Sequence, residues 1–126
     1  MTRINAGYNP KRLTDKHLLA EHREIKRIPN MVRSGKAKLD NIPSTFTMGK
    51  GHVKFFYNKL KWLFNKYNNI YLECKRRGFN VTPYYDAWSP ENEVEIELIH
   101  RNFNNWVVTK EAKKHIEERI NERLNK

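Results

Sequence analysis

The sequence predicts an all-α fold: a compact single-domain three-helix bundle, spanning residues 1–126, with a long central helix and an irregular segment before the last helix. Apolar residues recur at helical spacing in three long stretches, and alternation of the kind strands show is confined to VEIEL. Helix start and stop signals stand at the ends of those stretches. A chain of 126 residues is also the size of one domain with a buried core.

The first helix lies in LTDKHLLAEHREIKRI, starting near Thr14, whose hydroxyl can cap it, and ending or kinking at Pro29. Leu18, Ile25, Ile28 and Val32 share the arc that faces the core, while Arg12, Lys16, Arg23 and Arg27 fall within roughly 60° of one another on a different arc. His17 and Glu24 sit between the two. RSGKAKLDNIPS reads as a basic loop. The central helix is predicted over residues 51–77 with Gly78 as its C-terminal cap, its apolar stripe running from Val53 through Leu60, Leu63, Tyr67 and Ile70 to Cys74, and with Phe55 and Trp62 pointing the other way. SPENEVEIELIHRNF fits a short helix capped by Ser89 with Pro90 in its first turn, although its alternation also suits a strand. From Thr109 a last helix aligns Ala112, Ile116, Ile120 and Leu124, with His115, Arg119 and Arg123 beside that stripe.

Lys and Arg number 25 against 14 Asp and Glu, a formal charge of +11, which points to a polyanionic partner such as nucleic acid or an anionic membrane surface. No apolar run reaches membrane-spanning length and the start lacks a secretory signal, so a soluble intracellular protein is expected. The single cysteine lies on a core stripe, and no CxxC or HExxH spacing suggests a metal. The GKGH stretch at residues 49–52 lacks the spacing of a phosphate-binding loop and reads as a tight helix start.

Two features go beyond phosphate binding. Glu24 stands between Arg23 and Arg27 on a surface that otherwise attracts phosphate; it is either an intrahelical ion-pair partner or a general acid/base that stabilises developing positive charge. The chain opens MTRIN, and removal of Met1, favoured by the small Thr2, leaves an α-amine. Its reference pKa of about 7.7–8.0 leaves more of it neutral than a lysine at about 10.4. An amine beside a carboxylate on a DNA-binding face suits attack on a sugar carbon through an imine.

The segments MTRIN, LTDKHLLAEHREIKR, PSTFTMGKGHVKFFYNKLKWL and ECKRRGFN together resemble the pyrimidine-dimer DNA glycosylases, the endonuclease V family of T-even bacteriophages. The resemblance covers about the first 80 residues and extends loosely to ERINERL. It implies an all-helical monomer, soluble and of a kind that viruses encode, that acts without metal or cofactor on double-stranded DNA containing damaged bases or abasic sites. It further implies that the α-amine of Thr2 attacks the anomeric carbon, that Glu24 assists, and that β-elimination then nicks the strand. Arg3, His17, Arg23 and Arg27 match family residues around that site, and Arg119 and Arg123 match phosphate-holding positions.

Lys16 replaces a family glutamine and His22 a family tyrosine, and both are expected to alter contacts around a flipped nucleotide. The family's aromatic C-terminal tail has no counterpart in these residues, which leaves Tyr84, Tyr85, Trp88 or Trp106 as candidate substitutes. The alternatives are the same imine chemistry on another damaged or modified base, or a non-catalytic basic DNA-binding protein, which retention of Met1 would favour.

Overall fold

The computed structural model describes residues 4–124, with side chains to residue 123. Six α-helices follow one another among these: α1 (Asp15–Glu24), α2 (Arg27–Arg33), α3 (His52–Phe55), α4 (Leu60–Arg76), α5 (Glu93–Arg101) and α6 (Lys110–Leu124). Short 3-10 turns at Pro10–Arg12, Phe56–Asn58 and Tyr85–Trp88 join them, and no strand occurs among the described residues. The all-α expectation holds; the three-helix description is too spare, because α2, α5 and the 3-10 turns also pack together around the core.

Thr14 caps α1 as expected, its Oγ1 accepting the His17 N–H at 3.3 Å. The predicted break at Pro29 lies earlier. α1 stops at Glu24 and α2 begins at Arg27, so Pro29 is the third residue of α2. Proline has no N–H for the carbonyl four residues back and its ring crowds that carbonyl, which moves the discontinuity upstream to Ile25 and Lys26. Leu18, Ile25, Ile28 and Val32 are all fully buried.

The predicted continuous helix over residues 51–77 is corrected: it divides into α3, a 3-10 turn and α4, with Lys59 in a non-helical conformation (φ −125°, ψ 41°). Tertiary bonds account for the break. The Leu60 N–H donates to the Asn102 carbonyl at 3.0 Å and the Trp62 N–H to that of Asn104 at 3.3 Å, satisfying donors that begin a helix. At the other end Gly78 (φ +84°) takes the left-handed position past the cap, its N–H donating to Lys75 and that of Phe79 to Cys74, both at 3.0 Å. Phe55 and Trp62, expected to face away from the core stripe, pack with Phe46, Phe56 and Trp106 into a second aromatic cluster that is continuous with the core, the first being the His22, Tyr67, Tyr71, Tyr84 and Tyr85 rings.

α5 is helical, but its cap is Asn92 rather than Ser89: the Asn92 Oδ1 accepts the Glu95 N–H at 2.9 Å, and Glu95 reaches back to the Glu91 N–H. Ser89 instead closes the Tyr85–Trp88 turn. Thr109 begins α6, its Oγ1 accepting from Ala112. Ala112, Ile116 and Ile120 are buried; the Leu124 side chain lies outside the described residues.

Candidate active site

α1 presents His17, Ala20, Glu21 and Glu24 on one face, as the spacing of three, one and three residues dictates. Arg119, Ile120 and Arg123 of α6 stand across from them, and Asn5 lines the same cleft, whose volume is about 310 Å³. Of the predicted site residues, His17, Glu24, Arg119 and Arg123 are therefore brought together. Lys16, Arg23 and Arg27 are exposed beside the cleft but do not line it. Thr2 and Arg3 lie outside the described residues.

Glu24 is only 18% exposed and is bracketed by cations, with Arg27 Nη1 at 3.5 Å and Arg23 Nη2 at 4.0 Å. The ion pair with Arg27 that spacing suggested is thus present, and it leaves the Glu24 carboxylate at the cleft. Burial and then the Arg123 and Arg119 guanidiniums push the His17 pKa below its ordinary value, with Lys16 adding to the effect. Both effects favour the neutral imidazole of His17.

Glu21 was not singled out from sequence. It is 3% exposed, and its Oε2 accepts the backbone N–H of Asn5 at 2.6 Å. Its pKa is raised by burial, against the opposing pull of Lys66 and of Asn5. Lys66, also buried, has a pKa lowered by burial, and its Nζ donates to the Tyr8 carbonyl at 2.7 Å. A third side chain completes the arrangement: the Ile4 N–H donates to His52 Nε2 at 2.9 Å, while His52 Nδ1 lies 2.8 Å from the Thr47 carbonyl. Glu21 from α1, His52 from α3 and Lys66 from α4 thus hold the backbone of residues 4–8. Gly7 (φ +74°) lets this segment pass against Lys113 and Val108, where an added Cβ would lie 2.5 Å and 2.9 Å from their side-chain carbons. Asn5 Oδ1 and Glu21 Oε1 are buried with no hydrogen-bond partner among the described residues.

The departure at His22 is corrected in place. His22 points away from the cleft, 3% exposed, its Nε2 3.1 Å from the Tyr67 hydroxyl and its ring packed near Tyr71 and Tyr84. The aromatic candidates do not line the cleft either. Trp88 is buried with its indole N–H on the Leu60 carbonyl, Tyr85 bonds Asn68, Trp106 joins the second aromatic cluster, and Tyr84 lies under the Lys26 ammonium at 3.7 Å.

Among the described residues no three His, Cys, Asp or Glu side chains gather as a metal site, and no helix is long and apolar enough to cross a membrane. The arrangement is a carboxylate in a cationic cleft, beside a clamped N-terminal segment. The family model for pyrimidine dimer DNA glycosylase matches residues 1–86, which includes that segment, α1 and α4. The chain belongs to the pyrimidine dimer DNA glycosylase family.

Proposed function

We propose that this DNA repair glycosylase is bifunctional, a single domain that releases a pyrimidine-dimer base through an imine at the N-terminal amine and then nicks the strand as an AP lyase. The observation that carries the reading is the clamp on residues 4–8. Two residues separate the Thr2 nitrogen from the Ile4 nitrogen, so a free Thr2 amine is tethered within about 7 Å of the anchored chain. The next anchored residue, Asn5, lines the cleft that holds Glu24.

The neutral amine of Thr2 gives its lone pair to C1′, and the bond from C1′ to the base breaks, the base leaving with a proton. Loss of the amine protons, one of them to the ring oxygen as the sugar opens, produces the imine. Glu24 stabilises the positive charge that develops on the sugar and accepts the C2′ proton, whose electrons form the new double bond while the bond from C3′ to its phosphate oxygen breaks. Water then hydrolyses the imine and restores the amine. Arg3, Lys16, Arg23, Arg27, Arg119 and Arg123 serve as phosphate contacts around this centre, and the neutral His17 adds hydrogen bonding without charge.

Borohydride reduction tests the reading. With Met1 removal verified by mass spectrometry, the wild-type chain is expected to be trapped covalently on duplexes carrying either a cyclobutane dimer or an abasic site. Thr2→Ala should keep substantial trapping because it keeps the amine, whereas Thr2→Pro or N-terminal acetylation should lose most of it. Trapping on abasic DNA alone moves the substrate to another damaged base; no adduct on either removes the imine mechanism.

A further inference from the structure

A second concavity, of about 750 Å³, takes no part in that chemistry. The N-terminal segment separates it from the cleft: Asn5 lines the cleft, whereas Gly7 to Lys11 line this groove. Its floor is one face of α4, where Trp62, Asn65, Asn69 and Arg76 follow one another at helical spacing over about 21 Å.

The lining is unusual for a helix exterior. Trp62 is half-buried and held in place, stacked on Phe56 at 5.4 Å and edge-on to Trp106 at 5.2 Å, so a ring is already fixed before any ligand arrives. Asn65 and Asn69 are exposed, one turn apart, and neither side chain hydrogen-bonds among the described residues. Asparagine is a poor residue for a helix interior, so two of them at one face need a reason other than helix stability. Lys11 and Arg76 are exposed at the groove and Lys66 is buried in its wall. Glu73, the acid that lines it, is tied to Arg76 and Arg77.

We propose that this groove is a binding site for single-stranded DNA. Ring faces and side-chain amides match base faces and Watson–Crick edges, which are available only when bases are unpaired, and the cations match the phosphates. At the 3.4 Å per nucleotide of a stacked strand, a length of about 21 Å accommodates about six nucleotides. Duplex DNA hides those faces and edges. A neutral extended peptide can satisfy the amides but leaves the cations without counter-charge on a chain of charge +11.

Trp62 and Trp106 are two of the three tryptophans, and the third, Trp88, is buried, so intrinsic fluorescence reports on the groove. Titration of the full chain with an oligo-dT octamer is expected to quench that fluorescence saturably. Its affinity should fall with salt at a log–log slope of about −1.4 for two phosphates, and Lys11→Ala should reduce the slope by about 0.7. The double variant Asn65→Asp with Asn69→Asp, at exposed positions, should weaken octamer binding tenfold or more and leave borohydride trapping on abasic duplex unchanged. That separate readout distinguishes failure of the groove from failure of the imine reading. Absence of quenching overturns the proposal. So does quenching abolished by Arg123→Ala but untouched by the Asn variants, which places the octamer in the cleft. Quenching by a neutral decapeptide and not by the octamer overturns it in favour of a peptide.

Discussion

The cleft between α1 and α6 and the groove along α4 border the same N-terminal segment, yet their polar groups are in different states. In the cleft Glu24 already touches Arg23 and Arg27, and His17 stands in the field of Arg119 and Arg123. In the groove the Glu73–Arg76 pair is committed in the same way, but the amides of Asn65 and Asn69 make no hydrogen bonds among the described residues. Charges arranged before a reaction need little reorganisation when new charge appears, which suits a transition state. Uncommitted amides beside fixed rings suit a ligand in its ground state. Charge, and the pairing of charges, would have grouped the two surfaces together; the uncommitted amides separate them.

The sharpest way to break this comparison is Glu24→Gln, which keeps shape and removes charge. Base release under single-turnover conditions is expected to fall by about 10²- to 10⁴-fold, with affinity for lesion duplex changed only a few-fold. A near-normal rate would return Glu24 to the role of ion-pair partner, and the cleft would then differ from the groove only in charge.

A second experiment contrasts two carboxylates one turn apart on α1. Glu21→Ala removes the acceptor of the Asn5 N–H and a counter-charge of buried Lys66, and should cost about 2–4 kcal/mol in urea denaturation. Glu24→Ala, whose partners Arg23 and Arg27 are exposed, should cost less than about 1 kcal/mol. Equal costs would mean that the clamp does not distinguish the two positions.

The smallest expected effect concerns the side of α1 facing away from the cleft. Burial, and then Lys26, lowers the His22 pKa from its ordinary 6.5. The unfolded chain takes up this proton at higher pH than the folded one, so the stabilisation is complete above about pH 6.5 and is lost as the pH falls below it. His22→Tyr should flatten the dependence of the denaturation midpoint between pH 7.5 and 5. Glu73, held down to about 2 chiefly by its hydrogen bonds to Arg76, keeps its contribution across that range and loses it only as the pH falls towards 2.

Helix ends marked by local chemistry were legible in the sequence: the Thr14 cap, Gly78 past α4, the core role of Cys74 and the start of α6 at Thr109 all recur in the structure. The break at Lys59 was not, because FFYNKL keeps helical spacing while the bonds that interrupt it come from Asn102 and Asn104, more than 40 residues away. The same limit applies to the site. Glu24 and His17 were accessible through spacing, and Glu21 shares their face, but its burial depends on Asn5 and Lys66, which no local pattern links to it. His22 carried a readable sign: it lies four residues after Leu18 and three before Ile25, both fully buried.

The clamp also orders events in time. Ile4, Asn5 and Tyr8 are held by side chains 48, 16 and 58 residues further along the chain. At about 5–20 residues per second of synthesis, Lys66 is made about 3–12 s after Tyr8. Until then the segment has no completed surface to dock against. In the proposed scheme Met1 is removed within that interval, so the nucleophile is uncovered before the cleft that uses it has been assembled.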